Sequence, residues 1–317
     1  MFMEIIKLLI GFFIIVKASD VLVDCASSLA LKLKISKSII ALTIISFGTC
    51  APEIAISFQS IEEGNSQIAF SNIIGSCIVN VFLIIGLASL IKPIKAKEVT
   101  VKKELPILLI VTSGFTILML NTILNPLKNQ MFTKIDGIIL LLLFLIFVYY
   151  IIQTVKSKGK TNENIKPMYD PYTSIIFLIL SIILIIYSSD LIVNNVELIA
   201  KNLNLSEKII TMTAIVIGTS LPEMVMTITS AKKGEFDIAL GNIIGTNIFN
   251  ICIVLGLPIT IYGSIKLIDF NVIDIITVFL TSFLLYIFAK TKNTIEKKEA
   301  IIMLLIFIFY YTCTIML

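Results

Sequence analysis

Long apolar runs alternate with short lysine-bearing connections from one end of this chain to the other. A membrane-spanning helix needs roughly 20 predominantly apolar residues. Ten segments approach or meet that length: 4–30, 38–61, 67–91, 105–121, 134–155, 173–200, 208–231, 237–262, 270–289 and 299–316. The fourth, ending at Asn121, is the shortest. The longest polar connection, Lys156 to Tyr172, carries Ser, Gly, Asn and Pro and separates two sets of five helices. The pattern predicts an all-α polytopic membrane protein, with a first five-helix unit over 1–155, a linker over 156–172 and a second five-helix unit over 173–317.

Composition agrees with that pattern. The chain is 57% hydrophobic and 15% charged, with a mean hydropathy of +1.03. A soluble domain of 317 residues would need far more polar surface. The first apolar run has no small-residue cleavage site and is followed by many others, so it reads as a retained helix rather than a signal peptide. All 25 basic residues are Lys, and there is no His and no Trp. Without imidazole, the usual proton relay and zinc or copper ligand is excluded. The five cysteines, Cys25, Cys50, Cys77, Cys252 and Cys313, lack CxxC spacing and read as small buried hydrophobes.

The net charge of +4 carries no implication for nucleic acid, but its distribution reports orientation. With the N-terminus outside, the inner connections hold 18 lysines, at 32–37, 92–103, 156–166, 232–233 and 290–298. The outer ones hold 5: Lys128, Lys134, Lys201, Lys208 and Lys266. That is the positive-inside bias. It places both termini outside and the long middle connection in the cytoplasm.

A repeat underlies the two sets of five. Gly48-Thr49-Cys50-Ala51-Pro52-Glu53 recurs 170 residues later as Gly218-Thr219-Ser220-Leu221-Pro222-Glu223. Asn72-Ile73-Ile74-Gly75-Ser76-Cys77-Ile78-Val79-Asn80 recurs as Asn242-Ile243-Ile244-Gly245-Thr246-Asn247-Ile248-Phe249-Asn250. From Ser19/Ser189 to Leu87/Leu257, 26 of 69 aligned pairs are identical, including Asp20/Asp190, Ser36/Ser206 and Thr43/Thr213. Chance similarity between apolar segments would match Ile and Leu, not Gly, Pro, Glu and Asn in order. Five helices per unit is odd, so the second unit enters the membrane inverted, and the two motifs approach the midplane from opposite faces.

Each motif can bind a cation. Pro52 has no N–H, so the Gly48 carbonyl loses its helical partner, and Gly48 lets the backbone bend. Freed carbonyls inside a membrane need another partner. Thr49 and Glu53 lie four apart on one face, and Thr219 and Glu223 repeat the arrangement. For one copy alone, a proline kink with a hydrogen-bonded Glu is the structural alternative; duplication argues against it. Asn72, Ser76 and Asn80 form one helix stripe, mirrored by Asn242, Thr246 and Asn250. Asn72 and Asn242 also fit a role as interhelical glue, with Gly75 and Gly245 permitting close approach. Together these groups offer carboxylate, amide, hydroxyl and carbonyl oxygens and no soft ligand. Calcium takes 6–8 such oxygens in flexible geometry, and sodium competes for the same set.

Both motifs resemble the two α-repeats of the sodium/calcium exchanger family, within the cation/calcium exchanger superfamily. The resemblance is strongest over 36–87 and 206–257. It implies ten helices as inverted repeats. It implies that Glu53 and Glu223 bind calcium and sodium in turn, with Thr49, Thr219, Ser220, Ser76, Thr246, Asn80 and Asn250 lining the site. The first and sixth helices would slide across the other eight. Two positions depart from the family pattern. Cys50 stands opposite Ser220, and sulfur is a poor ligand for hard cations. Asn250 stands where some sodium-driven members carry Asp. Asp20 and Asp190 lie beyond the expected midplane and read as structural or gate-lining.

The functional expectation is a secondary antiporter in the cell membrane that exports calcium against sodium entry. A proton-coupled form stays open, because paired carboxyls can carry protons. A passive channel fits fused inverted halves less well, and no HExxH, Ser-His or paired-aspartate arrangement points to an enzyme. No cofactor and no obligatory protein partner is implied; the ions are cargo and the bilayer is the medium. A single cysteine introduced at Ser157 should resist an impermeant thiol reagent in intact cells. Ready labelling from outside would overturn the orientation.

Overall fold

The computed structural model describes residues 2–64, 66–125, 130–156, 167–202, 218–267 and 272–316. The chain is built from helices: α1 (Phe2–Leu33), α2 (Lys37–Thr49), α3 (Ala51–Glu62), α4 (Ser66–Ile91), α5 (Thr100–Leu124), α6 (Lys134–Lys156), α7 (Pro171–Asn202), α8 (Leu221–Lys233), α9 (Phe236–Tyr262), α10 (Val272–Lys290) and α11 (Lys297–Met316). Among the described residues, α4, α5, α6, α7, α9 and α10 are each long and apolar enough to cross a membrane, and the bent pair α2–α3 makes a seventh such unit. The remaining helices, α1, α8 and α11, stand where the hydrophobic pattern places its first, seventh and tenth segments. The first 10 residues of the seventh expected segment, with Ser206 and Thr213, lie outside the described residues, as do Ser157 and most of the 156–172 linker.

Helix α5 starts five residues before the expected Leu105, in a π-helical turn over Thr100–Glu104. Lys102, Lys103 and Glu104 read as a polar connection in sequence. In the fold Glu104 is buried, and its Oε1 accepts from Ser38 Oγ at 2.7 Å and Tyr150 OH at 3.0 Å. These donors allow a charged residue to sit inside the bundle.

Four two-residue strands tie the connections together. β1 (Ile94–Lys95) pairs antiparallel with β4 (Thr294–Ile295), and β2 (Met131–Phe132) with β3 (Ile265–Lys266). Each ladder joins one half of the chain to the other, so the halves interlock at both ends of the bundle. Around β1–β4 gather Lys37 with Glu235 at 2.8 Å and Lys97 with Asp237 at 2.5 Å. At the same end Lys233 meets Asp24 at 2.8 Å and Asp20 at 3.6 Å. Ser28 Oγ accepts from the amide of Met168 at 3.2 Å, which brings the end of the linker against α1. At the β2–β3 end, Ser66 Oγ donates to the Lys266 carbonyl and Leu267 N to the Gln130 carbonyl. Connections that the alternation of spans assigns to one face therefore do meet one another. Asp20, left between structural and gating roles by its sequence, is held by Lys233.

Helix α7 has a well-defined start. Asp170 accepts from the amides of Tyr172 and Thr173 at 3.1 Å and from Thr173 Oγ1 at 2.5 Å, and Pro171 opens the first turn. Those donors hold the Asp170 carboxyl below its ordinary range.

Two apolar cores form. One joins α4, α5, α9, α10 and neighbouring segments, around Phe70, Phe82, Phe115 and Phe132. The other is centred on α1 and α7, which pack along their lengths through Ile15, Leu22 and Leu29 against Leu178, Ile185 and Ile192. Much of the surface stays apolar, with Phe13 and Phe309 66% and 72% exposed, as expected where lipid is the solvent.

Within the main body, α9 presses on α2 at backbone distance. A Cβ on Gly245 would stand 2.7 Å from the Leu42 carbonyl oxygen, and one on Gly241 would stand 3.1 Å from that of Ser38. Ser46 Oγ bridges the contact, donating to the carbonyls of Ala41 (2.6 Å) and Asn242 (3.0 Å). Gly245→Ala should therefore destabilise the folded protein by about 1–3 kcal/mol, since backbone must move. Thermal unfolding in detergent checks this, and an unchanged midpoint would show that the helices can separate freely.

Candidate ion-binding site

The site grows from two helix breaks. Between α2 and α3 the axis bends by 47°, at Cys50 with φ −74° and ψ 0°. Pro52 falls in the first turn of α3, where a missing N–H costs nothing within α3 but leaves Gly48 O without its i+4 donor. Ser220 repeats the break with φ −85° and ψ 5°, and Pro222 opens α8. Each second half-helix ends at a glycine in the left-handed region, Gly64 at φ 79° and Gly234 at φ 78°, so the backbone repeat extends to its caps. α7 seats on both breaks. Ile182 lies against Gly48, Val193 lies against Gly218, and Ser189 Oγ donates to the Gly218 carbonyl at 3.3 Å.

α4 and α9 supply the other walls. Each winds into a π-helix at the equivalent place, Val79–Ile85 and Asn250–Leu255. A π turn interrupts the i→i−4 ladder and often marks a functional position. The halves then cross over: α3 packs on the π segment of α9, and α8 on that of α4.

Glu53 and Glu223 begin these half-helices and are fully buried. All four of their carboxylate oxygens lack a hydrogen-bond partner. They lie close enough to repel one another; Thr49 lies beside Glu223, and its Oγ1 donates to the Ser46 carbonyl at 3.3 Å. Two desolvated carboxylates near each other are tenable only with positive charge bound between or on them. Ser76, Ser220, Thr246 and Asn250 are also buried, each with unpartnered side-chain polar atoms, and Asn80 keeps a free Oδ1. This much unmatched buried oxygen is rare in a folded protein. It fits a hard cation, and Ser57, bonded to the Val254 carbonyl at 2.6 Å, does not add to it.

Not every expected ligand is free. Thr219 Oγ1 donates to Asn72 Oδ1 at 3.1 Å, which turns both toward helix contact. Asn242 Nδ2 donates to Thr227 Oγ1 at 3.3 Å. Cys50 is buried, with Sγ 3.9 Å from the Thr246 carbonyl, so the position opposite Ser220 contributes packing. Asn247, which the motif comparison passed over because its counterpart is Cys77, bonds directly to Asn80 at 2.9 Å.

The chain belongs to the sodium/calcium exchanger protein family, whose model matches residues 3–153 and 173–316. It is thus a membrane antiporter of the cation/calcium class and not an enzyme. It is 30% identical to the sodium/calcium exchanger MaX1 of Methanosarcina acetivorans, with 95% of each chain covered. It is 35% identical to the inner membrane protein YrbG of Escherichia coli, over 79% of this chain and 78% of that one. The solved structure of the sodium-calcium exchanger NCX_Mj, soaked with 10 mM Na+ and zero Ca2+, superposes with a TM-score of 0.82 at 27% identity, covering 98% of both chains.

Proposed function

We propose that this protein exchanges calcium for sodium across the cell membrane by alternating access, and that it works in the direction of calcium export. The observation that carries the proposal is the pair of buried, unpartnered carboxylates Glu53 and Glu223, each at a helix break. Calcium would be bound by these carboxylates with oxygens from Ser76, Ser220, Thr246, Asn80 and Asn250, and with carbonyl or hydroxyl oxygens of Thr49 and Thr219. The relative named a sodium/calcium exchanger, and NCX_Mj with structures soaked in sodium and calcium, support the choice of ions.

The architecture is read as ten spans in two inverted repeats, 1–155 and 173–317, joined by a cytoplasmic linker. Placing the β1–β4 end inside puts Lys232 and Lys233 in the cytoplasm, while their repeat counterparts Glu62 and Glu63 lie at the other face. The repeat thus reverses its terminal charge as the positive-inside rule demands. The long mutual packing of α1 and α7 supports a pair that moves as a unit across the remaining helices. Proton coupling is the second reading, favoured by a core with no third carboxylate.

Glu53→Gln and Glu223→Gln should each lower calcium exchange in proteoliposomes by about 100-fold or more, because a divalent ion loses half its buried counter-charge. Near-normal flux in either folded variant would remove that residue from the site. The charge count gives a further expectation. Two carboxylates balance one calcium ion, two sodium ions or two protons, so a third sodium would have only dipoles to hold it. Asn250→Asp should strengthen sodium competition against calcium, measured at several clamped potentials with sodium and proton gradients varied independently. Strictly sodium-driven, strongly voltage-dependent flux that is unchanged by the substitution would refute the count.

A further inference from the structure

Asn247 and Cys77 are counterparts in the repeat and touch directly across the interface of the two halves. Asn247 Nδ2 donates to the Cys77 carbonyl oxygen at 3.5 Å. A backbone carbonyl only accepts, so it dictates which end of the Asn247 amide faces it. The other end, Oδ1, accepts from Asn80 Nδ2 at 2.9 Å. That bond in turn consumes the donor end of Asn80. What remains is Asn80 Oδ1, in a fully buried side chain with no protein partner. An orientation fixed at one backbone carbonyl is thus passed through two amides.

The second half has no such relay. The residue equivalent to Asn247 is Cys77, whose thiol cannot bridge a carbonyl to an amide in this way. Asn250, the counterpart of Asn80, has both Oδ1 and Nδ2 unpartnered. We infer that Asn247 is a positioning residue that locks Asn80 with its oxygen toward the transported cation, so that the two repeats give the site one fixed and one unfixed amide. The inference rests on the reading of Asn80 as a site-lining residue. It adds that a residue outside the duplicated pattern decides which atom Asn80 presents.

The consequence is energetic coupling between Asn80 and Asn247 that Asn250 does not share. The experiment measures the half-saturating calcium concentration and the maximal exchange rate in proteoliposomes for Asn80→Ala, Asn247→Ala and the double variant. Asn250→Ala is combined with Asn247→Ala in parallel, and folding is checked by monodispersity in detergent. Asn80→Ala should raise half-saturation by about 10-fold, Asn247→Ala by a similar factor, and the double variant by little more than either. Asn250→Ala and Asn247→Ala should multiply. Asn247→Asp keeps an acceptor for Asn80 Nδ2, so in that background Asn80→Ala should cost as much as in the wild type. Asn247→Val, which fills the space without an amide, replaces the alanine variant if the latter is not recovered folded. Equal cost of Asn80→Ala in the wild type and in the Asn247→Ala (or Asn247→Val) background overturns the positioning role alone. No cost of Asn80→Ala in the wild type overturns both the role of Asn80 in the site and the relay built on it.

Discussion

Two buried carboxylates, none of whose four oxygens is matched by a hydrogen-bond donor among the described residues, impose a condition on everything around them. Burying one such charge is costly, and burying two of like sign is more so. A fold keeps this arrangement only if a cation or protons complete it and if the frame can hold the pair against repulsion. Glu53 and Glu223 meet the second requirement because each starts a rigid half-helix, and each half-helix is pinned at its far end by a left-handed glycine. Their attachment to opposite halves of the chain means that a cation bound between them also joins those halves.

Much of the remaining structure can be traced to that need for rigidity at the centre. α9 lies against α2 with no room for a methyl group at Gly245, and the β1–β4 and β2–β3 ladders lace the halves together at both ends. Thr112 and Ser282 join α5 to α10 through their hydroxyls at 2.5 Å. Polar contacts of this kind replace the hydrophobic effect, which gives helices little reason to associate in lipid. α1 and α7 pack along each other, and Lys233 of α8 ties α1 to the rest through Asp20 and Asp24. Their core also takes in Ile40, Ala41 and Ile45 of α2, Met226 of α8 and Ile238 of α9, and α7 reaches the motif glycines through Ile182, Val193 and the Ser189 hydroxyl.

The repeat is a frame, and the departures from it set the chemistry. Position for position, the halves agree in backbone: the break, the proline, the π turn and the capping glycine all recur. They differ in what they offer an ion. Ser220 keeps a buried, unpartnered hydroxyl where Cys50 packs its thiol near the Thr246 carbonyl, and Asn247 anchors the Asn80 amide where the Cys77 side chain has no amide to offer. Thr49 sits beside Glu223, whereas Thr219 is tied to Asn72. A sequence repeat would give two equal halves if its copies were identical; here the differences lie in a handful of side chains.

The sequence by itself determined the class of fold and the carboxylates. Hydropathy depends only on local composition, and a Gly-Thr-x-x-Pro-Glu break is a local backbone event, so both survive translation into structure without knowledge of neighbours. Lysine placement grouped the connections by face, because charge is excluded from lipid regardless of packing. Tertiary structure alone decided which polar atoms are free. The donors that make Glu104 part of α5 come from Ser38 and Tyr150, far away in sequence. The π turns at Val79–Ile85 and Asn250–Leu255 have no residue signature, and the bond from Asn247 to Asn80 spans 167 positions. A hydrogen bond is satisfied or not by geometry across helices, which no single apolar run can encode.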